Sequence, residues 1–445
     1  MTHVIHRNAR QEYPFAVAGD GVYIIDAEGK RYLDASGSAA VSCLGYSDRE
    51  VIAALKAQLD KLCFVHSSFF TTEPMEALAE DLVSDAPGGL AHVYFVCGGS
   101  EAIEAALKLA RQYFVELGEP HRTTFIARKP SYHGDTLGAV SAGYRQANRE
   151  KFGPLMFEGA YVSSCYAYRE ARPQESDAAY AARLGADLEA EIQRIGSEKV
   201  IAFIAETVSG SSLGAVPPVP GYFRRAREIC DKYGILLILD EIMCGMGRCG
   251  TRYTYSQEGI APDILTIAKG LGAGYQPIGA TLCSDRVYQP IVNGSGSFSH
   301  GQTYIGHAAG CAAALAVQRA VRGRRVIDHV RRLAPELEAM LRTRFGSHPH
   351  VGDIRGRGLL LGIEFVADRA TKEPFDAKFK LSAKVKANAM KSGLLCNAYS
   401  GHVDGTRGDH VLLAPPFIIE EKHITEIGDK LEVALRETFH MTAST

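Results

Sequence analysis

Apolar residues along the chain fall into two kinds of pattern. Short compact runs, bounded by turn residues, recur near 93–97, 124–127, 159–162, 201–205, 236–239, 264–268 and 280–284. Between several of them lie longer stretches with apolar residues three and four apart, as at 100–117 and 222–233. Compact runs read as strands covered on both faces, and the 3.6-residue spacing reads as helix with one apolar face. The alternation predicts an α/β fold, doubly wound around a seven-stranded, mainly parallel sheet.

The two ends of the chain follow other patterns. Short strands alternating with Asp20-Gly21 and Glu28-Gly29 turns predict a small antiparallel element over 13–46. A helix is expected over 49–62, with Val51, Ile52, Leu55 and Leu59 on one face. The segment FVHSSFFTTEP after it is a polar-aromatic loop of the kind that lines pockets. Beyond a long helix through CAAALAVQRAV the composition shifts towards Arg and Glu. Strand-like runs at GLLLGIEFV and HVLLAPPFII and a closing helix over 424–435 predict a smaller α+β domain, which the N-terminal strands could join. The expected division is 1–60 as the N-terminal segment joining the small domain, 61–320 as the large α/β domain and 321–445 as the C-terminal small domain.

Composition narrows the class. A chain of 445 residues is too long for one core. Its 46% hydrophobic and 22% charged content is that of a soluble globular enzyme. A net charge of -2 gives no electrostatic reason to expect nucleic acid or membrane as partner. No stretch approaches ~18 uninterrupted apolar residues, and the N-terminus lacks an apolar signal core, so a cytoplasmic protein is expected. Ten cysteines lie scattered, with no C-x-x-C pair and no zinc spacing, which predicts free, buried thiols and no metal. Asn293-Gly294-Ser295 matches a glycosylation sequon but reads as a chance match in a Gly/Ser loop.

Candidate chemistry sits at strand ends. The run 264–268 delivers Lys269 into a glycine-rich turn, the run 236–239 ends on Asp240, and the run 201–205 ends on Glu206. Ligands of such sheets bind beyond the carboxyl ends of the strands, so these side chains should face one crevice. A lysine that becomes a free amine opposite an acid suits pyridoxal phosphate chemistry; taken alone, the pair reads first as a structural ion pair at the sheet edge or two unrelated solvated charges. Gly98, Gly99 and Ser100 open a helix and form either a phosphate cradle or a plain glycine turn with a serine cap. Tyr132, in Ser131-Tyr132-His133-Gly134, could stack on a planar ring or belong to a packed loop. Ile242 shares a face with Asp240 if the strand continues, and could pack under that ring. Thr303, in a Gly-flanked turn, is a second phosphate contact or a simple helix cap. Gly245 to Gly250 spells G-x-G-x-x-G, but no amphipathic helix follows, so a dinucleotide site is rejected in favour of a glycine loop.

Together CGGSEAIEAALKLAR, SYHG, LILDEIMCGMGRCG, LTIAKGLGAGYQPIGA and GQTYIGHA resemble, in order, the motifs of class III aminotransferases, pyridoxal phosphate enzymes of fold type I. The resemblance spans about Gly19 to Phe417. It implies pyridoxal 5′-phosphate as cofactor and Lys269 as Schiff-base lysine and proton carrier. Asp240 would hold the ring nitrogen protonated. Gly99, Ser100 and a partner chain's Thr303 would bind phosphate, with Tyr132 and His133 at the ring, Glu206 beside it and Ile242 behind. It also implies a homodimer with shared active sites, with pairing into a tetramer left open. Met243 stands where members resembling ornithine and GABA aminotransferase carry Gln, and Ser211 near where ornithine-type members carry an acidic gate, so the chain looks closer to the omega-amine:pyruvate branch. There a C-terminal arginine binds the keto-acid carboxylate, and Arg407 is the candidate. Ala39 and Ala40 replace bulky aromatics and imply a roomier substrate pocket. The expected reaction is ping-pong transfer of an amino group from an amine or ω-amino acid to pyruvate or 2-oxoglutarate. The rivals are an aminomutase, racemase or lyase on the same scaffold, or a nicotinamide-dependent dehydrogenase.

Overall fold

The structure, a computed structural model, describes residues 2–443. Strands β1 (Ala16–Asp20), β2 (Tyr23–Asp26) and β3 (Arg31–Asp34) form the antiparallel N-terminal element. The chain then supplies β4 (Leu90–Val96), β5 (Thr124–Lys129), β6 (Ala160–Ser163), β7 (Val200–Glu206), β8 (Leu236–Asp240), β9 (Ile264–Ile267) and β10 (Gly279–Ser284). All seven join one sheet in the order β4-β10-β9-β8-β7-β5-β6. Only β10 runs antiparallel to its neighbours, so the expected mainly parallel sheet is present.

Side chains along these strands alternate between two packed faces, with period two. On β8, Leu236 and Ile238 pack with Ile103, Leu107 and Phe114 of helix Gly99–Glu116. Leu237 and Leu239 face the other way, towards Leu184 of helix Asp177–Ile195 and Phe223 of helix Tyr222–Tyr233. Both faces are covered, which is why these strands carry unbroken apolar runs. The strands also end in register, Glu206 beside Asp240 and Asp240 beside Thr266. Three residues beyond Thr266 the chain reaches Lys269, so pairing alone gathers three charged groups at the carboxyl edge.

The C-terminal region adds β11 (Val351–Arg357), β12 (Leu360–Phe365), β13 (Leu394–Leu395), β14 (Asn397–Ser400) and β15 (Asp409–Leu413). Four of them form an antiparallel sheet, β11-β12-β15-β14, whose core includes residues of helices Val326–Phe345, Leu381–Lys391 and Glu421–Ala443. The two predicted apolar runs are its central strands; the Gly-, Arg- and Asn-bearing edges carry no such run. β13 pairs in parallel with β3 through Leu394 and Leu33, tying the N-terminal strands to this region.

Helix Arg49–Lys61 forms, but its apolar face is only partly covered: Val51 is buried while Leu59 is 48% exposed. Leu62, Phe69, Phe70 and Tyr304 are exposed as well, and Phe64 meets Tyr304 edge to face. All ten cysteines are free; Cys63, just past the end of that helix, is exposed and Cys97 half-buried, while the other eight are buried as expected. No helix among the described residues is long and apolar enough to cross a membrane.

Candidate active site

A cavity of 490 Å³ opens at the carboxyl edge of the seven-stranded sheet, within the ~300–1,000 Å³ usual for small-molecule sites. Lys269 lines it, half-buried, directly after β9. Its φ of 46° puts a non-glycine residue in the left-handed region, a conformation with a cost that tends to be kept where function needs it. Burial pushes its ammonium down from 10.5 to about 8, against the pull of Asp240. About a tenth of the amine is therefore free at pH 7, and half of it near pH 8.

Asp240 faces the same cavity and is only 5% exposed. One carboxylate oxygen lies 2.8 Å from His133 Nδ1, and the other accepts the Ile242 amide at 2.9 Å. His133 Nε2 is buried with no protein partner. With Nδ1 engaged by the acid, the imidazole keeps Asp240 fixed on its far side and leaves the cavity side to a ligand. Glu206 is also buried. It pairs with Arg128 at 2.8 Å and accepts the Tyr132 amide at 3.1 Å. Burial opposes its charge, but Arg128 and His133 outweigh that and hold the carboxyl below its usual range. Glu206 thus fixes the backbone from which Tyr132 projects into the cavity, while the Tyr132 hydroxyl donates to Asp135 at 3.0 Å.

The opposite end is a glycine cradle. Gly98 caps helix Gly99–Glu116 with extended backbone, and no side chain caps that end. A Cβ at Gly98 would meet no atom within 4 Å, whereas one at Gly99 would come within 2.8 Å of Ile242. Gly98 leaves open space on the cavity wall, and Gly99 lets Ile242 press against the helix start. Ser100 is not the cap; its Oγ accepts the Asp135 amide at 3.0 Å and keeps a proton to donate. Free amides and the positive helix end make this wall suited to receive an anion. Lysine amine, buried acid, ring-sized apolar walls and anion cradle in one cavity match the donor set of a phosphorylated pyridine aldehyde.

The remaining predicted residues divide. Ser211, Met243 and Ala39 line the cavity. Ala40 does not: it is 3% exposed and packs in a cluster with Cys244, Leu412 and Ala414. Thr303 is exposed, outside this chain's cavity, and it does not cap the next helix; His307 does, accepting the Gly310 amide. Arg407 is not at the cavity either; it pairs with Glu373 and Asp404 at 2.7 Å each. Instead Arg145 and Arg7 line the wall, with Tyr399 of β14. Sequence reasoning missed all three, because none follows a strand with a recognisable pattern. The Gly245–Gly250 segment is a compact turn with no α-helix after it; its buried Arg248 donates to Leu359 O and Pro415 O, linking the large sheet to the C-terminal region.

A sequence profile of the family "Aminotransferase class-III" matches residues 4–435. An uncharacterised aminotransferase of Schizosaccharomyces pombe is 43% identical over 437 residues, covering 98% of this chain and 95% of that protein. Gamma aminobutyrate transaminase 3 of Solanum lycopersicum is 36% identical over 94% of this chain and 80% of its own. Among solved structures, an (S)-enantioselective omega-transaminase from Thermomicrobium roseum superposes with a TM-score of 0.92 at 35% identity, covering 98% of this chain and 96% of that one. The omega transaminase from Pseudomonas jessenii in complex with PMP gives 0.92 at 32%, over 99% and 97%.

Proposed function

The chain belongs to the class-III aminotransferases, pyridoxal 5′-phosphate enzymes, and from that premise we propose that it moves an amino group from an amine or ω-amino acid to pyruvate or 2-oxoglutarate. The observation that carries this is one cavity shared by a lysine amine held near pKa 8 and a buried acid, with an anion cradle beside them. Bound there, pyridoxal 5′-phosphate supplies an aldehyde that accepts the amino group and a ring that delocalises the electron pair left when a carbon loses its proton.

Each residue then has a task. Lys269 would hold the cofactor's aldehyde carbon, and its free amine would be the group placed to carry a proton at the donor's carbon. Asp240, oriented by His133, would present its carboxylate to the ring nitrogen and favour that nitrogen's protonated state. Gly99 and Ser100 would hold the phosphate with backbone amides and a hydroxyl, and Tyr132 and Ile242 would pack on the ring. Glu206 positions Tyr132. The wall of Ser211, Met243 and Ala39 receives the donor, and Thr303 serves the neighbouring subunit's phosphate. The exposed apolar set of Leu59, Leu62, Phe69, Phe70 and Tyr304 supports the homodimer this requires. Free cysteines support a reducing, cytoplasmic setting.

The test is product detection with a panel of amines against pyruvate and 2-oxoglutarate. One amino acid formed per donor oxidised supports transamination. Rearranged or racemised donor with no amino acid from the keto acid would establish a mutase or racemase instead.

A further inference from the structure

Every carboxylate on the cavity wall is already engaged. Asp240 faces His133, Glu206 pairs with Arg128, and Asp135 accepts from the Tyr132 hydroxyl. The two guanidiniums on that wall are in the opposite state. Among the described residues, neither Arg145 nor Arg7 lies in an ion pair, and Arg145 only stacks over the Tyr132 ring, 5.6 Å from its centroid. Guanidinium stays charged at any ordinary pH, so this wall carries two uncompensated cations. Both charges act on the same two hydroxyls, lowering the pKa of Tyr132 and Tyr399 against the upward push of burial. Both arginines, Tyr132 and Tyr399 line the one cavity, with Arg145 over the Tyr132 ring. Arg145 is held there: its backbone opens helix Gln146–Phe152, and Tyr132 beneath it is pinned at amide and hydroxyl.

The C-terminal arginine expected for this task is committed elsewhere. Freeing Arg407 would strip partners from both Glu373 and Asp404. We propose that Arg145, assisted by Arg7, binds the substrate carboxylate, and so makes carboxylate-bearing amines and keto acids the preferred substrates over plain alkylamines and aldehydes. This rests on the transamination reading and names the group that selects its substrates. A fixed guanidinium offers paired N–H donors matched to a carboxylate, which a flexible ammonium does not.

The experiment uses the holoenzyme with Arg145→Gln, Arg145→Lys and Arg407→Gln. Calorimetry measures binding of propanoate and glutarate, which carry the acceptors' carboxylates but no ketone. Kinetics compares keto acid with a short aldehyde as acceptor, and ω-amino acid with alkylamine as donor. Arg145→Gln is expected to weaken carboxylate binding about 10- to 100-fold and to raise KM for carboxylate substrates in proportion. With aldehyde and alkylamine it should lose less than about threefold, Arg145→Lys should lie between, and Arg407→Gln should track wild type in calorimetry. Loss with keto acid alone assigns the acceptor's carboxylate; loss with the ω-amino acid too adds the donor's. Unchanged carboxylate binding in Arg145→Gln, equal loss with neutral substrates, or a loss confined to Arg407→Gln would overturn the proposal. A wild type that binds propanoate through Arg145 yet moves no amino group would sink transamination and leave the arginine site standing.

Discussion

Two of the buried charge clusters differ in kind, and only one of this pair is built like a site. At the edge of the seven-stranded sheet, Asp240, His133, Glu206 and Arg128 are each at most 6% exposed. In the C-terminal region Glu364 is fully buried beneath Arg169 and Arg355, with the Tyr166 hydroxyl donating to it and His402 Nε2 3.1 Å away. Burial opposes the charge on Glu364 too, and His402, Arg355 and Arg169 hold its carboxyl well below the usual range. By burial and perturbed titration the second cluster is the more extreme. It nevertheless contributes nothing to the wall of the cavity at the sheet edge. Its work is mechanical: Arg355 also donates to Leu213 O and Gly214 O, fastening the antiparallel sheet to the loop after β7 that carries Ser211. Perturbed charge marks a site only where an unpaired partner and empty space accompany it.

Removing Lys269 tests that contrast hardest. Lys269→Ala should lower turnover at least about 10⁴-fold and abolish the visible absorbance of bound cofactor, since one side chain is both attachment point and proton carrier. Asp240→Asn should lower turnover about 10²- to 10³-fold with the thermal midpoint of the apoprotein held. Glu364→Gln should do the reverse. Breaking a buried pair costs about 3–5 kcal/mol, read as a lower urea midpoint, with kcat of the surviving folded protein near wild type. Comparable rate losses in the two variants, with stability intact in both, would erase the distinction.

The large sheet was legible because strands buried on both faces must be apolar throughout, and Asp240 and Lys269 interrupt such runs where they end. The Glu364 cluster was not. Its members come from positions 166, 169, 355, 364 and 402, joined only by tertiary packing, and no local spacing announces them. Arg145 and Arg7 were hidden for the same reason. Ala39 and Ala40 show a finer limit. Both have left-handed backbone in a kinked turn, φ 138° and 62°, and adjacent residues leave such a turn in different directions. Ala39 reaches the cavity and Ala40 the core, a difference that residue type cannot convey.

A gentler test uses pH. Lys269 is held near 8 in the fold, against 10.5 ordinarily, so its reactive amine is half-populated near pH 8. The rate at which apoprotein takes up added pyridoxal 5′-phosphate, followed by visible absorbance, should climb about tenfold per unit below pH 7 and level off above pH 8. A rate still rising towards pH 10 would mean an unperturbed lysine. The same depression makes the charged lysine a liability, so the fold binds fewer protons at this position than the unfolded chain between the two values. Apoprotein stability should therefore gain from this group as pH rises from about 8 to 10.5, whereas Glu364 gives nothing in that window.

The smallest change expected separates fold from site most cleanly. Gly98 has extended backbone, φ −176°, which any residue adopts, and an added Cβ would touch nothing within 4 Å. Gly98→Ala should thus leave the apoprotein's stability within about 0.5 kcal/mol of wild type, or raise it slightly by restricting the unfolded chain. Yet the open space it enters lies on the cavity wall, beside the amides and hydroxyl proposed to hold phosphate. Affinity for pyridoxal 5′-phosphate should then fall about tenfold, the loss of one charge-assisted contact, measured by titrating apoprotein. Alanine at Gly99 would meet Ile242 at 2.8 Å and disturb fold and site together, so it cannot serve as the probe. If Gly98→Ala bound the cofactor as tightly as wild type, the glycine would be a simple turn and the phosphate would have to sit elsewhere along the helix start.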